Sequence, residues 1–206
     1  VARLPEIRAL ADRYGALVMV DDCHATGHLG AEGRGTPSLT DTAVDIVTGT
    51  FGKTLGGGMG GFIAARQPIV DLLRQRARPY LFSNALAPAI AAGARRAIAI
   101  ARAADDRRAT LMRHAQRFRA GLRDAGFTLL EGETPIIPVM LGEATTAQAL
   151  AAALDRRGVY VAGFFYPVVP AGRARIRTQM SAGLTDADVD FAIAAFTEAG
   201  RELGIV

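Results

Sequence analysis

Short apolar runs alternate with longer segments of helical periodicity along this chain of 206 residues. Residues 17–20 (Leu-Val-Met-Val) form one such run, and residues 45–50 and 61–65 repeat the form. Apolar runs of about 4–8 residues are typical of strands buried in a sheet, whereas helices need longer periodic segments. The alternation therefore predicts an α/β layer whose loops gather at the ends of the strands.

The pattern changes after residue 103, and this change predicts two domains, residues 1–103 and residues 104–206. In the first domain, apolar spacing predicts helices at Leu4–Tyr14, 68–75 and 85–102. In the second domain it predicts helices at 107–124, at 147–157 and after Thr185, and strands at 127–130, 136–141, 159–162 and 173–178. We interpret the second domain as a smaller α+β domain.

Composition excludes several classes of protein. Half of the residues are hydrophobic and 21% are charged, as in a packed globular chain. A single cysteine, Cys23, cannot form an internal disulfide, which favours the reducing cytoplasm. The longest apolar stretch, residues 86–94, is far shorter than the ~20 residues of a membrane span. No signal peptide pattern opens the chain, and because Val1 stands where a Met is usual, we expect a fragment.

The basic residues do not indicate a nucleic-acid partner. The net charge is +4, and the 23 arginines are scattered singly or in pairs over the predicted helices. Nucleic-acid-binding surfaces instead combine a basic stripe with aromatic residues that stack on bases. We therefore expect a solvated basic surface and no nucleic-acid partner.

Lys53 is the only lysine in the sequence. A chain that uses arginine almost everywhere else either kept this lysine by chance or needs its chemistry. A primary amine can lose a proton and form a Schiff base, which a guanidinium cannot do. Lys53 is therefore a candidate catalytic residue.

Asp21 and His24 follow the first predicted strand, and Lys53 follows the second. The carboxyl ends of parallel strands form the crevice in which α/β sheets bind ligands. A lysine Schiff base and an aspartate beside a pyridinium nitrogen are the groups that pyridoxal phosphate (PLP) chemistry requires. Asp21 and Asp22 could instead cap the next turn, and His24 could be structural. Residues 50–53 lack the spacing of a nucleotide-binding P-loop.

The sequence resembles the α-oxoamine synthases, which are fold-type I PLP enzymes. The resemblance lies in residues 21–27 (DDCHATG), 33–35, 45–53 (DIVTGTFGK), 73–84, 163–170 and 173–182. It implies an aspartate aminotransferase-like α/β fold, with residues 1–103 as the C-terminal part of the PLP-binding large domain and residues 104–206 as the small domain. It covers the whole chain but only the second half of such an enzyme.

The resemblance also implies roles for individual residues. Lys53 would carry the cofactor and act as the base, Asp21 would pair with the pyridinium nitrogen, and His24 would contact the phenolic oxygen of the ring. Thr50 would bind the phosphate. Phe82 and Ser83 would reach the phosphate site of the other subunit of a homodimer. Arg177 would bind the substrate carboxylate, and Arg175 is the alternative for this role.

The implied reaction condenses glycine with acetyl-CoA to 2-amino-3-oxobutanoate, and its reverse belongs to threonine breakdown. An alternative within the family is an 8-amino-7-oxononanoate synthase or a serine palmitoyltransferase, which would use a different acyl pocket. Outside catalysis, the alternative is an inert truncated fragment. Within this resemblance, residues 78–84 (RPYLFSN) are most similar to the enzymes of the glycine and acetyl-CoA reaction.

Overall fold

The computed structural model describes residues 1–56 and 58–206, so the glycine-rich loop is described apart from Gly57. The chain divides into two compact units, Val1–Arg108 and Ala109–Val206. The sequence predicts its domain boundary a few residues earlier, at 103/104.

The first unit contains four helices and three strands among its described residues. In chain order these are α1 (Leu4–Tyr14), β1 (Met19–Asp21), β2 (Ile46–Thr50), β3 (Gly61–Ala65), α2 (Gln67–Arg76), α3 (Arg78–Leu81) and α4 (Pro88–Arg102). Two short 3-10 helices, Ala31–Gly33 and Thr36–Leu39, lie between β1 and β2. Helix α5 (Asp105–Asp124) begins in the first unit and continues into the second.

The three strands of the first unit form one sheet in the order β1-β2-β3. Strands β1 and β2 are parallel, with Met19 opposite Ile46 and Asp21 opposite Thr48. Strand β3 runs antiparallel to β2. Because β1 and β2 are parallel, their carboxyl ends lie at the same edge of the sheet, as the sequence predicts.

The second unit combines an antiparallel sheet with three helices. Its further elements are β4 (Ile136–Gly142), α6 (Ala144–Asp155), β5 (Gly163–Phe164), β6 (Ala174–Gln179) and α7 (Asp186–Glu202), and the sheet order is β4-β6-β5. Thr185 caps α7 in a capping box with Asp188. The core lies between the sheet and the helices and includes Phe118, Leu122, Ile137, Leu150, Ile176 and Phe196, each at most 1% exposed.

Two strands predicted in the second unit are not formed. Residues 127–130 form only an isolated bridge to β4: Leu129 lies opposite Val139, with hydrogen bonds from the Leu130 N–H to the Pro138 carbonyl and from the Met140 N–H to the Thr128 carbonyl. Residues 159–162 are irregular, and pairing begins one residue later at Gly163. Val159 and Val161 pack against the core without belonging to the sheet. Their apolar character reflects burial, which an irregular segment achieves as well as a strand.

Candidate active site

Asp21, His24, Thr50 and Lys53 lie around one edge of the first unit's sheet. Asp21 is the last residue of β1 and Thr50 the last of β2. His24 lies in the turn that follows β1, and Lys53 follows Thr50 after two residues. The parallel pairing of the two strands brings these segments together, because both chains leave the sheet at the same edge.

The two adjacent aspartates after β1 have different environments. Asp22 is 1% exposed, and its carboxylate accepts hydrogen bonds from the Thr36 N–H (3.0 Å to Oδ1) and the Thr26 hydroxyl (3.1 Å to Oδ2). Asp21 is exposed, and its Oδ1 accepts the Cys23 N–H at 3.0 Å. Asp22 therefore organises the loop of residues 22–36, which we call the Asp22 loop, whereas Asp21 faces solvent at the sheet edge.

The carboxyl of Asp21 is held in its ionised form. Its pKa is lowered first by hydrogen bonding to Cys23 and then by the positive charges of Lys53 and His24. In turn, the carboxylate of Asp21 raises the pKa of the Cys23 thiol. The electrostatic effects of Lys53 and His24 on Asp21 mean that these three groups share one local field. An anionic carboxylate, an amine and an imidazole thus lie at the same edge of the sheet.

Lys53 lies in a tight segment, residues 51–56, which we call the Lys53 turn. The Thr50 hydroxyl accepts the Gly52 N–H at 3.1 Å and donates to the Gly60 carbonyl at 3.3 Å. The Gly56 N–H donates to the Lys53 carbonyl at 2.9 Å. These bonds fix the backbone on both sides of Lys53, while the residue itself is exposed and accessible to a small molecule.

Gly49 explains why the strand before this turn is so closely packed. A Cβ at Gly49 would lie 2.3 Å from Cζ of Phe62, which crosses over the strand at this point. The ring centroid of Phe62 lies 5.6 Å from that of Phe51, the first residue of the Lys53 turn. The start of the Lys53 turn is therefore held against β3 by packing as well as by hydrogen bonds.

Two residues that matter to this geometry are not identified by sequence reasoning. The sequence predicts Asp22 only as a possible turn cap, whereas in the structure its hydrogen bonds to Thr26 and Thr36 hold the Asp22 loop together. His28 contacts Thr54, the residue after Lys53, with 3.0 Å between Nδ1 and Oγ1. A lone histidine in a loop carries no sequence signal for such a contact.

Phe82 and Ser83 lie between α3 and α4 and are exposed. The ring of Phe82 is 78% exposed and lies 5.4 Å from the guanidinium carbon of Arg78. The Ser83 hydroxyl donates to the Asn84 carbonyl at 3.4 Å. Both side chains are thus open to contact from another molecule.

Arg175 and Arg177 lie on β6 in the second unit. They alternate along β6 with Ala174, Ile176 and Thr178, which are buried, so both arginines point away from the core. Arg177 is exposed, and its guanidinium carbon lies 4.6 Å from the centroid of the Phe164 ring. Arg175 is half-buried, and among the described residues its buried Nε has no hydrogen-bond partner. Arg177 is thus the more accessible of the two.

Within residues 1–56 and 58–206, no cluster of three or more His, Cys, Asp or Glu side chains could hold a metal ion. No helix in the same residues is long and apolar enough to span a membrane.

Comparison with known proteins gives consistent results. The sequence profile of the family "Aminotransferase class I and II" matches residues 1–196. The chain is 51% identical over 208 residues to the 2-amino-3-ketobutyrate coenzyme A ligase of Escherichia coli K12, covering 100% of this chain and 52% of that protein. It is 48% identical over 203 residues to the human mitochondrial protein of the same name, covering 98% of this chain and 48% of the human one.

A solved structure of SPT with a PLP internal aldimine superposes on this chain with a TM-score of 0.95 at 33% identity. The superposition covers 100% of this chain and 52% of the SPT chain. The chain therefore spans about half the length of the relatives that it matches.

Proposed function

Because this chain belongs to the class I and II aminotransferase family, we propose that it forms part of a PLP-dependent acyltransferase that condenses glycine with acetyl-CoA. The products are 2-amino-3-oxobutanoate and CoA. The fold class predicted from the sequence, the aspartate aminotransferase-like α/β fold of fold-type I enzymes, is confirmed by the family match and the superposition on SPT. The 51% identity to the E. coli ligase supports glycine and acetyl-CoA as the substrates.

The observation that carries the proposal is the shared electrostatic environment of Asp21, His24 and Lys53 at one sheet edge. The donor set fits PLP: an exposed primary amine, an ionised carboxylate and an imidazole. PLP supplies an electron sink, because its protonated pyridine ring draws off the electron pair left when an amino acid loses its α-proton. A carboxylate whose pKa is lowered, such as Asp21, stays negative at neutral pH and can stabilise that protonated ring.

In this proposal the first unit binds the cofactor. Lys53 Nζ would hold it covalently and would serve as the base for the α-proton of glycine. Asp21 would accept a hydrogen bond from the pyridinium nitrogen, and His24 would contact the phenolic oxygen. Thr50 binds the phosphate from the end of β2, where its hydroxyl already orders the neighbouring backbone.

Two further contacts extend the proposal beyond this edge. Arg177 binds the substrate carboxylate, because a planar guanidinium can donate to both oxygens at once. Phe82 and Ser83, which are exposed, would reach the phosphate of the other subunit's site in a homodimer with shared active sites. We also propose a cytoplasmic location, in keeping with a single cysteine.

The reaction balances as an acyl transfer. A carbon–carbon bond forms between the α-carbon of glycine and the carbonyl carbon of the acetyl group, and the carbon–sulfur bond of the thioester breaks. Lys53 Nζ receives the α-proton, and the CoA thiolate leaves and takes up a proton. No oxidant or reductant is consumed.

The proposal is tested by adding PLP to the chain and recording the visible absorption of the covalent lysine adduct before and after glycine. Release of CoA thiol from acetyl-CoA is then compared with release from longer acyl-CoA esters. We expect a visible band that glycine shifts, and thiol release that requires glycine and is fastest with acetyl-CoA.

The matched control is Lys53→Arg, which keeps the positive charge but cannot form a Schiff base. We expect this variant to lose both the band and the thiol release. Glycine-dependent thiol release that survives in Lys53→Arg would contradict the proposal, as would faster release from a long-chain ester.

A further inference from the structure

His28 links the two segments that bring the candidate catalytic groups together. Its imidazole Nδ1 lies 3.0 Å from the Thr54 hydroxyl oxygen. His28 belongs to the Asp22 loop, which follows Asp21 and contains His24, and Thr54 belongs to the Lys53 turn. The hydrogen bond therefore joins the carboxylate side of the site to the lysine side.

The same contact is supported by close packing. A Cβ at Gly27 would lie 2.9 Å from the Thr54 methyl group and 3.1 Å from Cδ2 of Leu55, so only glycine lets the loop approach this closely. Leu55 is 5% exposed. Both residues after Lys53 are thus anchored to the Asp22 loop, one by a hydrogen bond and packing and the other by burial.

The Asp22 loop is itself ordered from within. The buried Asp22 carboxylate accepts the Thr36 N–H, and the Gly27 N–H donates to the Gly33 carbonyl at 2.8 Å. A loop fixed at these points is a firm support for a neighbouring turn, because its own backbone bonds do not depend on that turn.

The protonation of His28 suits a hydrogen bond to a hydroxyl. Burial lowers the pKa of His28, the negative charge of Asp22 opposes this effect, and the positive charge of His24 adds to it. The imidazole is then neutral at neutral pH and offers one donor and one acceptor nitrogen. The Thr54 hydroxyl can pair with either.

We propose that His28 is a positioning residue, whose hydrogen bond to Thr54 fixes the Lys53 turn relative to Asp21 and His24 for cofactor binding. This inference rests on the proposed function, because it assigns His28 a role in presenting the amine of Lys53 to PLP. His28 acts through Thr54 and does not itself touch the reacting atoms.

The unique lysine allows a direct test that needs no cofactor. Labelling with 15N-lysine gives one backbone amide signal, and its heteronuclear NOE reports how rigid the Lys53 turn is on the picosecond-to-nanosecond timescale. Thr54→Val keeps the shape of the side chain but removes the hydroxyl, and His28→Leu removes the ring nitrogen. We expect each variant to lower the NOE and the double variant to lower it no further.

Two comparison variants separate positioning from general stabilisation. His28→Asn can keep a polar atom near the position of Nδ1, and we expect it to restore the wild-type NOE. Ser38→Ala removes the hydrogen bond from Ser38 Oγ to the Gly35 carbonyl, in the same region but away from the Lys53 turn. We expect it to leave the NOE of Lys53 unchanged, and an equal loss in Ser38→Ala would overturn the proposal.

PLP titration of the same samples completes the test. We expect Thr54→Val and His28→Leu to weaken apparent PLP binding roughly fivefold, the weight of one ordinary hydrogen bond, and His28→Asn to bind like wild type. Additive NOE losses, or equal PLP binding in all variants, overturn the proposal. If the variants change the NOE as expected but the wild-type chain gives no visible band with PLP, the His28–Thr54 link stands and the proposed function fails.

Discussion

Gly35 and Asp22 show how closely one residue can depend on another in this protein. A Cβ at Gly35 would lie 1.6 Å from Asp22 Oδ2, and Gly35 has a φ of +90°. The buried carboxylate therefore occupies the space that a side chain at residue 35 would need. This arrangement lets the Thr36 N–H, one residue later, reach the same carboxylate.

We predict that Gly35→Ala destabilises the first unit by about 1–3 kcal/mol, because the new methyl group must displace a buried carboxylate and occupy a strained conformation. Gly93→Ala is the matched control. Gly93 lies inside α4 with no atom near its virtual Cβ, so alanine there should stabilise by about 0.5–1 kcal/mol. Thermal unfolding of the two variants measures the difference, and equal midpoints would contradict the prediction.

The sequence places some site residues well and others poorly, for a reason that applies to single residues. Asp21 stands out because it ends an apolar run, Lys53 because it is the only lysine in the sequence, and Thr50 only through the family resemblance. The separate roles of Asp21 and Asp22 depend on which carboxylate turns inward, and that is decided by the Thr36 N–H, which approaches from fourteen residues along the chain. Contacts across such a distance leave no local pattern.

At the scale of elements, Asp45 connects α1 to the parallel strands. Its Oδ2 accepts the Val18 N–H at 2.8 Å, just before β1, and the Arg8 guanidinium of α1 at 2.8 Å. The carboxylate stands one residue before β2. One side chain thus links the middle of α1 to the starts of β1 and β2, and with them the register at which the two strands reach the site.

We predict an acid-sensitive attachment of α1. The pKa of Asp45 is lowered first by the Val18 N–H and then by the Arg8 guanidinium. A carboxyl whose pKa is lower in the folded state stabilises the fold above its ordinary value of 3.8, and this contribution is lost as the pH falls through the lower folded value. Hydrogen exchange of the α1 amides should therefore quicken below pH 3.8 by more than the intrinsic rate explains.

Asp45→Asn should quicken the same exchange at neutral pH and remove its extra acid sensitivity. Glu6→Gln also removes a negative charge from α1. The ion pair that Glu6 forms with Arg3 is exposed, with 3.9 Å between the charged atoms. We expect this control to behave like wild type, because exposed ion pairs contribute little. If the two variants behaved alike, Asp45 would not be the attachment.

Elements are predicted well where a pattern is long and poorly where it is short. The helix at Leu4–Tyr14 is predicted with its observed bounds, because its apolar residues recur at helical spacing and a glycine follows its last residue. In the structure this glycine, Gly15, adopts the left-handed conformation that ends the helix. The predicted strands at 127–130 and 159–162 fail because a short, mostly apolar run indicates burial but not how far its backbone pairs: the first forms only an isolated bridge to β4, and the second is irregular. The short helix α3 is missed, since four residues are too few to show periodicity.

At the scale of the whole molecule, the two units differ in how much apolar surface they bury. In the second unit, Ile137, Leu150, Leu154 and Ile176 are all 0% exposed. In the first unit, an open groove beside α1 and β1 leaves Leu10, Tyr14, Leu17 and Met19 more than half exposed. Stability within one chain follows such differences, because buried apolar surface supplies most of the favourable free energy.

We predict that amides of β4 and β6 exchange more slowly with solvent than those of β1 and β2. Phe196 is the position at which to test the cause: it is 1% exposed, and its ring packs edge-to-face against Phe118 (5.7 Å) and Phe127 (6.0 Å). Phe196→Ala should lower the free energy of opening of the β4 and β6 amides by about 3–5 kcal/mol. Phe191, on the same helix, is 55% exposed, so Phe191→Ala should leave those amides nearly unchanged. If the amides of both sheets were equally protected in the unmodified chain, the exposed groove of the first unit would cost it no stability. If the two Phe variants had equal effects, the buried aromatic cluster would not be the source of the protection.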